Sequence, residues 1–309
     1  MTKIEWTDET WNPVTGCTKV SAGCKNCYAE RIWPRVAGAE LSRMLPRRES
    51  HIPRAFTDVR CHPERLNAPL HWNKPRRIFV NSMSDLFHED VPDEFILQVF
   101  EVMRACENGY SFQLDRRVSL HTFQILTKRP ARMLDFCTRL RFAQNDARGM
   151  YLAKTLPHNG FNLMPLLRHV WLGVSVEDQD TADERIPPLL QTPAAVRFIS
   201  YEPALGPINF YEFFEQFPDH NEVRVVQRHT GIDWVIAGGE SGPNARPPHP
   251  DWFRTLRDQC ADADVPFFFK QWGEWAPDIR EFQANRMFRF GKKAAGRALD
   301  GRLHDEFPA

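Results

Sequence analysis

The sequence predicts an α/β fold built on a parallel sheet that is closed or partly closed into a barrel. Three observations carry this. Six short apolar runs punctuate the chain, mostly β-branched or aromatic and apolar on both faces, as strands of a buried parallel sheet must be. Stretches of helical period lie between several of them, the alternation that marks βα units. Each run also ends in a polar cluster, where parallel folds place their chemistry.

The expected strands are Ile78–Asn81, Thr122–Leu126, Val170–Val174, Val196–Ser200, Trp234–Ala237 and Pro266–Phe269, with room for another before Cys17. Pro92–Cys106 carries Phe95, Ile96, Val99, Phe100 and Met103 on one helical face, and Pro130–Phe142 carries Met133, Leu134, Phe136 and Leu140. Asp180–Leu190 carries Ile186, Leu189 and Leu190, with Pro187 and Pro188 expected to begin a new turn. Pro250–Cys260 opens with proline and acid, as helix starts prefer. Arg43–Arg77, Arg141–Arg168 and Tyr211–Thr230 interrupt the pattern, and the chain from Ala276 onward is polar and weakly periodic. The reading is one barrel domain with inserted loops over residues 1–275 and a C-terminal extension over 276–309.

Lys plus Arg and Asp plus Glu number 40 each, so net charge favours neither a nucleic-acid nor a membrane partner. No apolar stretch approaches the roughly 20 residues of a membrane span, and no apolar run follows a basic start. A cytoplasmic protein without a membrane partner is expected. The 7 cysteines are odd in number, which argues against a disulfide framework.

The strand ends supply the candidate site. They carry Ser82-Met83-Ser84-Asp85, Thr127-Lys128-Arg129, Ser175-Val176-Glu177, Tyr201-Glu202-Pro203, Gly238-Gly239-Glu240-Ser241-Gly242 and Lys270-Gln271. Taken singly, each has an ordinary reading. Ser84-Asp85 could cap a helix, Lys128 could lie along the surface, and the glycine pair could form a tight turn. Glu202 is less ordinary, because a carboxylate at the end of a buried strand needs a partner.

Cys17, Cys24 and Cys27 fall within "GCTKVSAGCKNCYAE", spaced C-x6-C-x2-C. Thiolates this close suit metal. Structural zinc wants four closed ligands, and Cys61, His62 or His51 could add the fourth. A [4Fe–4S] cluster with only three protein ligands keeps one iron open for a small molecule. Spacing alone leaves iron–sulfur, zinc, and packing or redox thiols all open.

The three cysteines ahead of a strand–helix series resemble the cluster motif of radical S-adenosylmethionine (SAM) enzymes. Two features differ from that motif: the first gap is six residues, and Asn26 precedes the third cysteine while the aromatic, Tyr28, follows it. The segments "IEWTDETWNPVTGCTKVSAGCKNCYAE", "IFVNSMSDLFHEDVP", "FQILTKRPARM", "VWLGVSVE", "RFISYEP", "DWVIAGGESGPNARPPHPDW" and "PFFFKQWGEW" resemble phage and prophage three-cysteine-motif proteins. "NSMSDLF" followed by "LTKRP" is similar, more distantly, to the spore photoproduct lyase branch.

These resemblances imply a partial (β/α)6 barrel, a [4Fe–4S] cluster on Cys17, Cys24 and Cys27, and SAM as second cofactor. Ser82, Ser84 and Asp85 would hold the SAM amino group, Lys128 and Ser175 its carboxylate or ribose, and Tyr28 would stand beside the cofactors. The "GGE" at Gly238–Glu240 comes near the last strand and is assigned to substrate instead. Glu202, Glu240 and Lys270 are left for substrate or proton handling. The implied activity is generation of a 5′-deoxyadenosyl radical that modifies a substrate, with an electron donor and a separately encoded partner protein as companions.

A nucleobase or nucleic acid is the substrate these resemblances suggest, and Arg43, Arg47, Arg48, Arg54, Arg60 and Arg65 could track phosphate. A solvated and partly paired face is the competing reading. Two other functions stand beside the enzyme: a zinc-stabilised nucleic-acid-binding protein without catalysis, and a hydrolytic barrel with Glu202 or Glu240 as acid/base and structural cysteines.

Overall fold

The computed structural model describes residues 4–44, 54–111, 114–142, 167–214, 231–277 and 286–308. His51, Arg47 and Arg48 lie outside these residues, as do the Arg43 side chain, residues 278–285 and most of the excursions at 141–168 and 211–230.

The main sheet has seven strands, all parallel. They are β1 (Glu9–Trp11), β4 (Arg77–Val80), β7 (Thr122–Thr127), β8 (Val170–Val176), β9 (Val196–Tyr201), β10 (Trp234–Gly238) and β11 (Phe267–Gln271), in that spatial order. β1 and β11 are the edges, so the sheet forms a half-barrel rather than a closed one. The seventh strand is Glu9–Trp11, where the sequence left room for one before Cys17, and it pairs with β4. Small two-stranded ladders decorate it: β2 (Val14–Thr15) with β3 (Arg60–Cys61), β5 (Tyr110–Ser111) with β6 (Arg116–Arg117), and β12 (Trp275–Pro277) with β13 (Met287–Arg289).

α1 (Tyr28–Met44) packs Ala29, Trp33 and Ala37 with Met83 in a cluster of its own. α2 (Asp93–Glu107), α3 (Pro130–Phe142), α4 (Gln179–Gln191), α5 (Tyr211–Phe214) and α6 (Pro250–Asp262) bury side chains in the large core against one face of the sheet. α7 (Lys292–Ala295) has no buried residue. α4 runs unbroken through Pro187 and Pro188, where a new turn was expected. Its start is fixed by an Asp178 capping box with Thr181, and buried Ala182, Arg185, Ile186 and Leu189 anchor one face. That anchoring outweighs the missing proline N–H groups. α2 begins after Pro92, so Ser84-Asp85 caps no helix.

Period-two alternation divides the strands between two cores. Ile78, Val80, Phe123, Ile125, Leu172, Val174, Ile199, Val235 and Phe269 join the large core under the helices. Phe198, Trp234, Ile236 and Phe268 join Trp6 on the concave face, with Phe79, Leu126, Trp171 and Phe307 packed against them. The tail seals this aromatic layer. Phe307 lies 5.1 Å from Trp234 between ring centroids, and Trp234 Nε1 donates to the Glu306 carbonyl at 2.8 Å. Phe269 N donates to the His304 carbonyl at 2.9 Å, so the chain end runs back along β11. The C-terminal extension thus supplies part of the sheet's concave packing. No helix among the described residues is long and apolar enough to cross a membrane.

Candidate functional site

The cysteine loop lies across the carboxyl ends of the strands, and two buried carboxylates fasten it there. Ser21 Oγ donates to Glu177 Oε1 at 3.0 Å. A side chain at Gly23 would collide with that carboxylate, its Cβ falling 2.4 Å from Oε1, so glycine is what lets the loop close on Glu177. Glu177 follows β8, is fully buried, and is paired with Lys128 and with Arg185 Nη1 at 3.2 Å. Two cations and a hydroxyl are what make a buried carboxylate tolerable.

The second clasp is Glu240, after β10. Its Oε2 accepts from Asn26 Nδ2 at 3.0 Å and from Arg246 N at 2.8 Å, and its Oε1 accepts from Arg246 Nη2 at 2.6 Å. Arg246 Nη2 also reaches the Ala22 carbonyl at 3.0 Å. Burial works against the Glu240 charge, but the Arg246 and Asn26 hydrogen bonds hold its carboxyl below the usual range.

The three thiols are half-buried and differ in character. Burial pushes Cys17 up to about 12, and the Asp85 carboxylate adds to the rise, while Arg129 Nη1 stands 3.7 Å from its sulfur. Burial likewise raises Cys27. Burial opposes the Cys24 thiolate too, yet the Lys128 ammonium and backbone hydrogen bonds at Val20 and Ser21 bring its thiol below the ordinary value. Charge on Cys24 raises both other thiols, so Cys24 is coupled electrostatically to each of them. Among the described residues no three His, Cys, Asp or Glu side chains close to metal-ligand distance.

The donor set still fits a thiophilic metal: three soft ligands on one loop, at a mouth carrying two cations that favour thiolate. Of the candidate fourth zinc ligands, His62 has both ring nitrogens engaged, Nε2 with Thr15 at 2.7 Å and Nδ1 with Glu64 at 3.0 Å. Cys61 is half-buried on β3, and burial raises its thiol.

The residues assigned to SAM divide into two groups. Asp85 is buried, and both its oxygens accept: Oδ1 from Thr127 Oγ1 at 2.7 Å and Phe87 N at 3.0 Å, Oδ2 from Lys128 N at 3.1 Å and Arg129 Nη1 at 3.3 Å. Ser84 Oγ donates to the Val14 carbonyl and Ser175 Oγ to the Glu202 carbonyl. These three act beneath the mouth. Ser82 is half-buried against Asn12 Oδ1, Lys128 is partly exposed, and Tyr28 is 56% exposed. Burial also pulls the Lys128 ammonium down to about 8.

On the far side, Glu202 receives Lys270 Nζ on both oxygens at 2.9 and 2.7 Å, and Gln271 Nε2 at 3.0 Å. This pair and the Ser21–Glu177–Lys128 group sit at the ends of β9, β11, β8 and β7, above the sealed aromatic layer. Among the nucleic-acid candidates, Arg54 lies over the Trp33 ring, and Arg60 and Arg65 approach Asp58 at 3.7 Å and Glu64 at 3.6 Å. Each of these three thus has at least one contact within the chain.

Sequence reasoning named Glu177 and Arg129 as strand-end residues without giving them a role, and it missed Arg246. The signal of the first two was only position after β8 and β7; the loop partners at 21, 17 and 22 are too distant in sequence for spacing to reveal.

The fold and site together define a parallel α/β half-barrel with a three-thiol loop clamped over its carboxyl-end mouth. The chain belongs to the family described as protein of unknown function (DUF5131), whose model matches residues 1–308. No curated protein and no solved structure matches it.

Proposed function

We propose that the protein is a radical SAM-type iron–sulfur enzyme, a reading its motifs suggest through their resemblance to radical SAM enzymes and to phage three-cysteine-motif proteins. One observation supports this best: the loop carrying all three thiols is held at the polar mouth of a parallel half-barrel by carboxylates from other strand ends. Cys17, Cys24 and Cys27 are the residues that would hold a [4Fe–4S] cluster. When bound, the cluster and SAM supply a 5′-deoxyadenosyl radical able to take a hydrogen atom from substrate, once a separate donor protein delivers an electron.

The chain's own residues orient and enclose. Ser82 and Lys128 are the contacts assigned to SAM, while Ser84, Asp85 and Ser175 shape the mouth from beneath; Tyr28, 56% exposed at the start of α1, faces solvent instead. Arg129 and Lys128 offset the negative charge of thiolates. Glu202 and Lys270 present a carboxylate–ammonium pair at the substrate side, positioned by Gln271 to hold or pass a proton. Glu240 serves the cysteine loop through Asn26 and Arg246 rather than facing substrate alone. The aromatic floor of Trp234, Phe268 and Phe307 keeps water from entering at the opposite end.

The direct test is iron content in Cys17→Ala, Cys24→Ala and Cys27→Ala purified without oxygen. Each is expected to lose its iron; full iron retention in all three variants would sink the proposal.

A further inference from the structure

We infer that the solvent face of α1, beside Cys27, is a track for single-stranded nucleic acid made by Lys25, Tyr28, Arg31 and Arg35. This names the substrate class of the site above; it rests on that reading for what happens to the bound strand, though not for binding itself.

Positions 28, 31 and 35 are spaced i, i+3, i+7, so they share one face of α1 and span about 10 Å. All three are exposed, as is Lys25 just upstream. Tyr28 presents a largely exposed ring, open for a base to stack on. Among the described residues Lys25, Arg31 and Arg35 have no carboxylate partner, whereas the adjacent Glu30 is paired with Lys19 at 2.8 Å. In a chain with no net charge, three neighbouring unpaired cations are a local excess that most of its arginines do not share.

The face is also built. A cavity of about 280 Å3 opens between Cys27, Arg31 and the turn at Ser241–Asn244. Arg31 lies so close to Gly242 that a Cβ there would fall 1.9 Å from Nη1, and φ is +114° at that glycine. The turn is fixed by Asn26 donating to the Asn244 carbonyl at 2.8 Å, Arg289 to the Pro243 carbonyl at 2.6 Å, and Gly242 N to Glu274 at 3.0 Å. A guanidinium is therefore seated on a hydrogen-bonded turn, and Glu30, the carboxylate that also lines this cavity, is taken up by Lys19. Cations along a groove beside an exposed ring are what binds single strands without sequence preference, phosphate on the charges and a base on the ring.

The test is fluorescence anisotropy at low salt with a labelled oligodeoxythymidylate of about 20 nucleotides. The probe is titrated with the full chain and with Lys25→Ala/Arg31→Ala/Arg35→Ala, Tyr28→Ala and Arg254→Ala. Arg254 is a cation already paired with Asp251 and Asp300. The triple variant is expected to bind at least about tenfold more weakly and to flatten the log K against log salt slope by about 2, three phosphate contacts at about 0.7 each. Tyr28→Ala is expected to weaken binding with the slope unchanged, and Arg254→Ala to bind as wild type. Unchanged affinity in the triple variant overturns the proposal, as does equal binding of ADP and the strand, or no binding by wild type. Melting temperatures and iron content measured on the same preparations separate outcomes. Iron present without strand binding removes this inference alone, and Arg31-dependent binding without iron removes the enzyme reading alone.

Discussion

Ser21 and Glu177 meet at 3.0 Å although 156 positions separate them in sequence. That hydrogen bond joins the loop carrying three thiols to a fully buried carboxylate that also neutralises Lys128 and Arg185. The loop's position is thus tied to the charge balance of the strand ends.

Glu177→Ala should therefore do more than loosen a loop. It leaves two cations short of their anion in a buried place, which costs about 3–5 kcal/mol when one partner of a buried pair is removed. Urea unfolding should show that loss in midpoint, while Ser21→Ala, which removes only one hydrogen bond, should cost about 1 kcal/mol. Equal small losses in both variants would show that Glu177 is not the anchor.

Truncation of residues 304–309 should destabilise the sheet rather than trim a tail. It removes Phe307 from the Trp234 and Phe268 rings and the backbone bond from Phe269 to His304. Phe307→Ala alone should cost about 1–3 kcal/mol, less than a fully buried phenylalanine because Phe307 is half-buried. Thermal unfolding and tryptophan emission of the truncated chain would check both.

Much of the fold was legible because its signals are local. The six apolar runs each fall on an observed strand, and the four helical patterns on α2, α3, α4 and α6. What was not legible depends on partners distant in sequence. The prolines of α4 pointed to a break that buried Arg185, Ile186 and Leu189 prevent. The strand-end residues were found as a set, yet Asp85, Ser84 and Ser175 point their polar atoms into the structure, which spacing cannot show. Asn26, read as a departure from an expected aromatic, turns out to hold Glu240.

Stability should fall on mild acidification. Burial lowers His121 from 6.5, with the nearby Arg76 and His169 charges adding to it against the Pro69 hydrogen bond; burial lowers His169 in the same way. The unfolded chain then binds more protons than the folded one below that value, so unfolding free energy rises with pH through this window. The contribution is complete above 6.5 and is lost as pH drops toward the depressed folded values. Glu89 and Asp93 do not confuse the comparison, since their lowered carboxyls lose their contribution only below 4.5 and 3.8. The urea midpoint should decline between about pH 7.5 and about pH 5.5, and less so in His121→Gln. A flat profile would contradict this account of the buried histidines.

Gly242→Ala should cost about 1–3 kcal/mol, because φ of +114° is a conformation that L side chains rarely adopt. Arg31 can swing away, so the loss comes from the backbone rather than the collision. A denaturation midpoint equal to wild type would show that the turn relaxes freely.

The central claim is that the three thiols hold an iron–sulfur cluster with one open iron. It is tested most directly by metal analysis and the absorption spectrum of protein purified without oxygen, before and after dithionite. The account predicts brown protein with about four irons per chain, bleached on reduction, and perturbed when SAM is added. Colourless protein carrying stoichiometric zinc would contradict it.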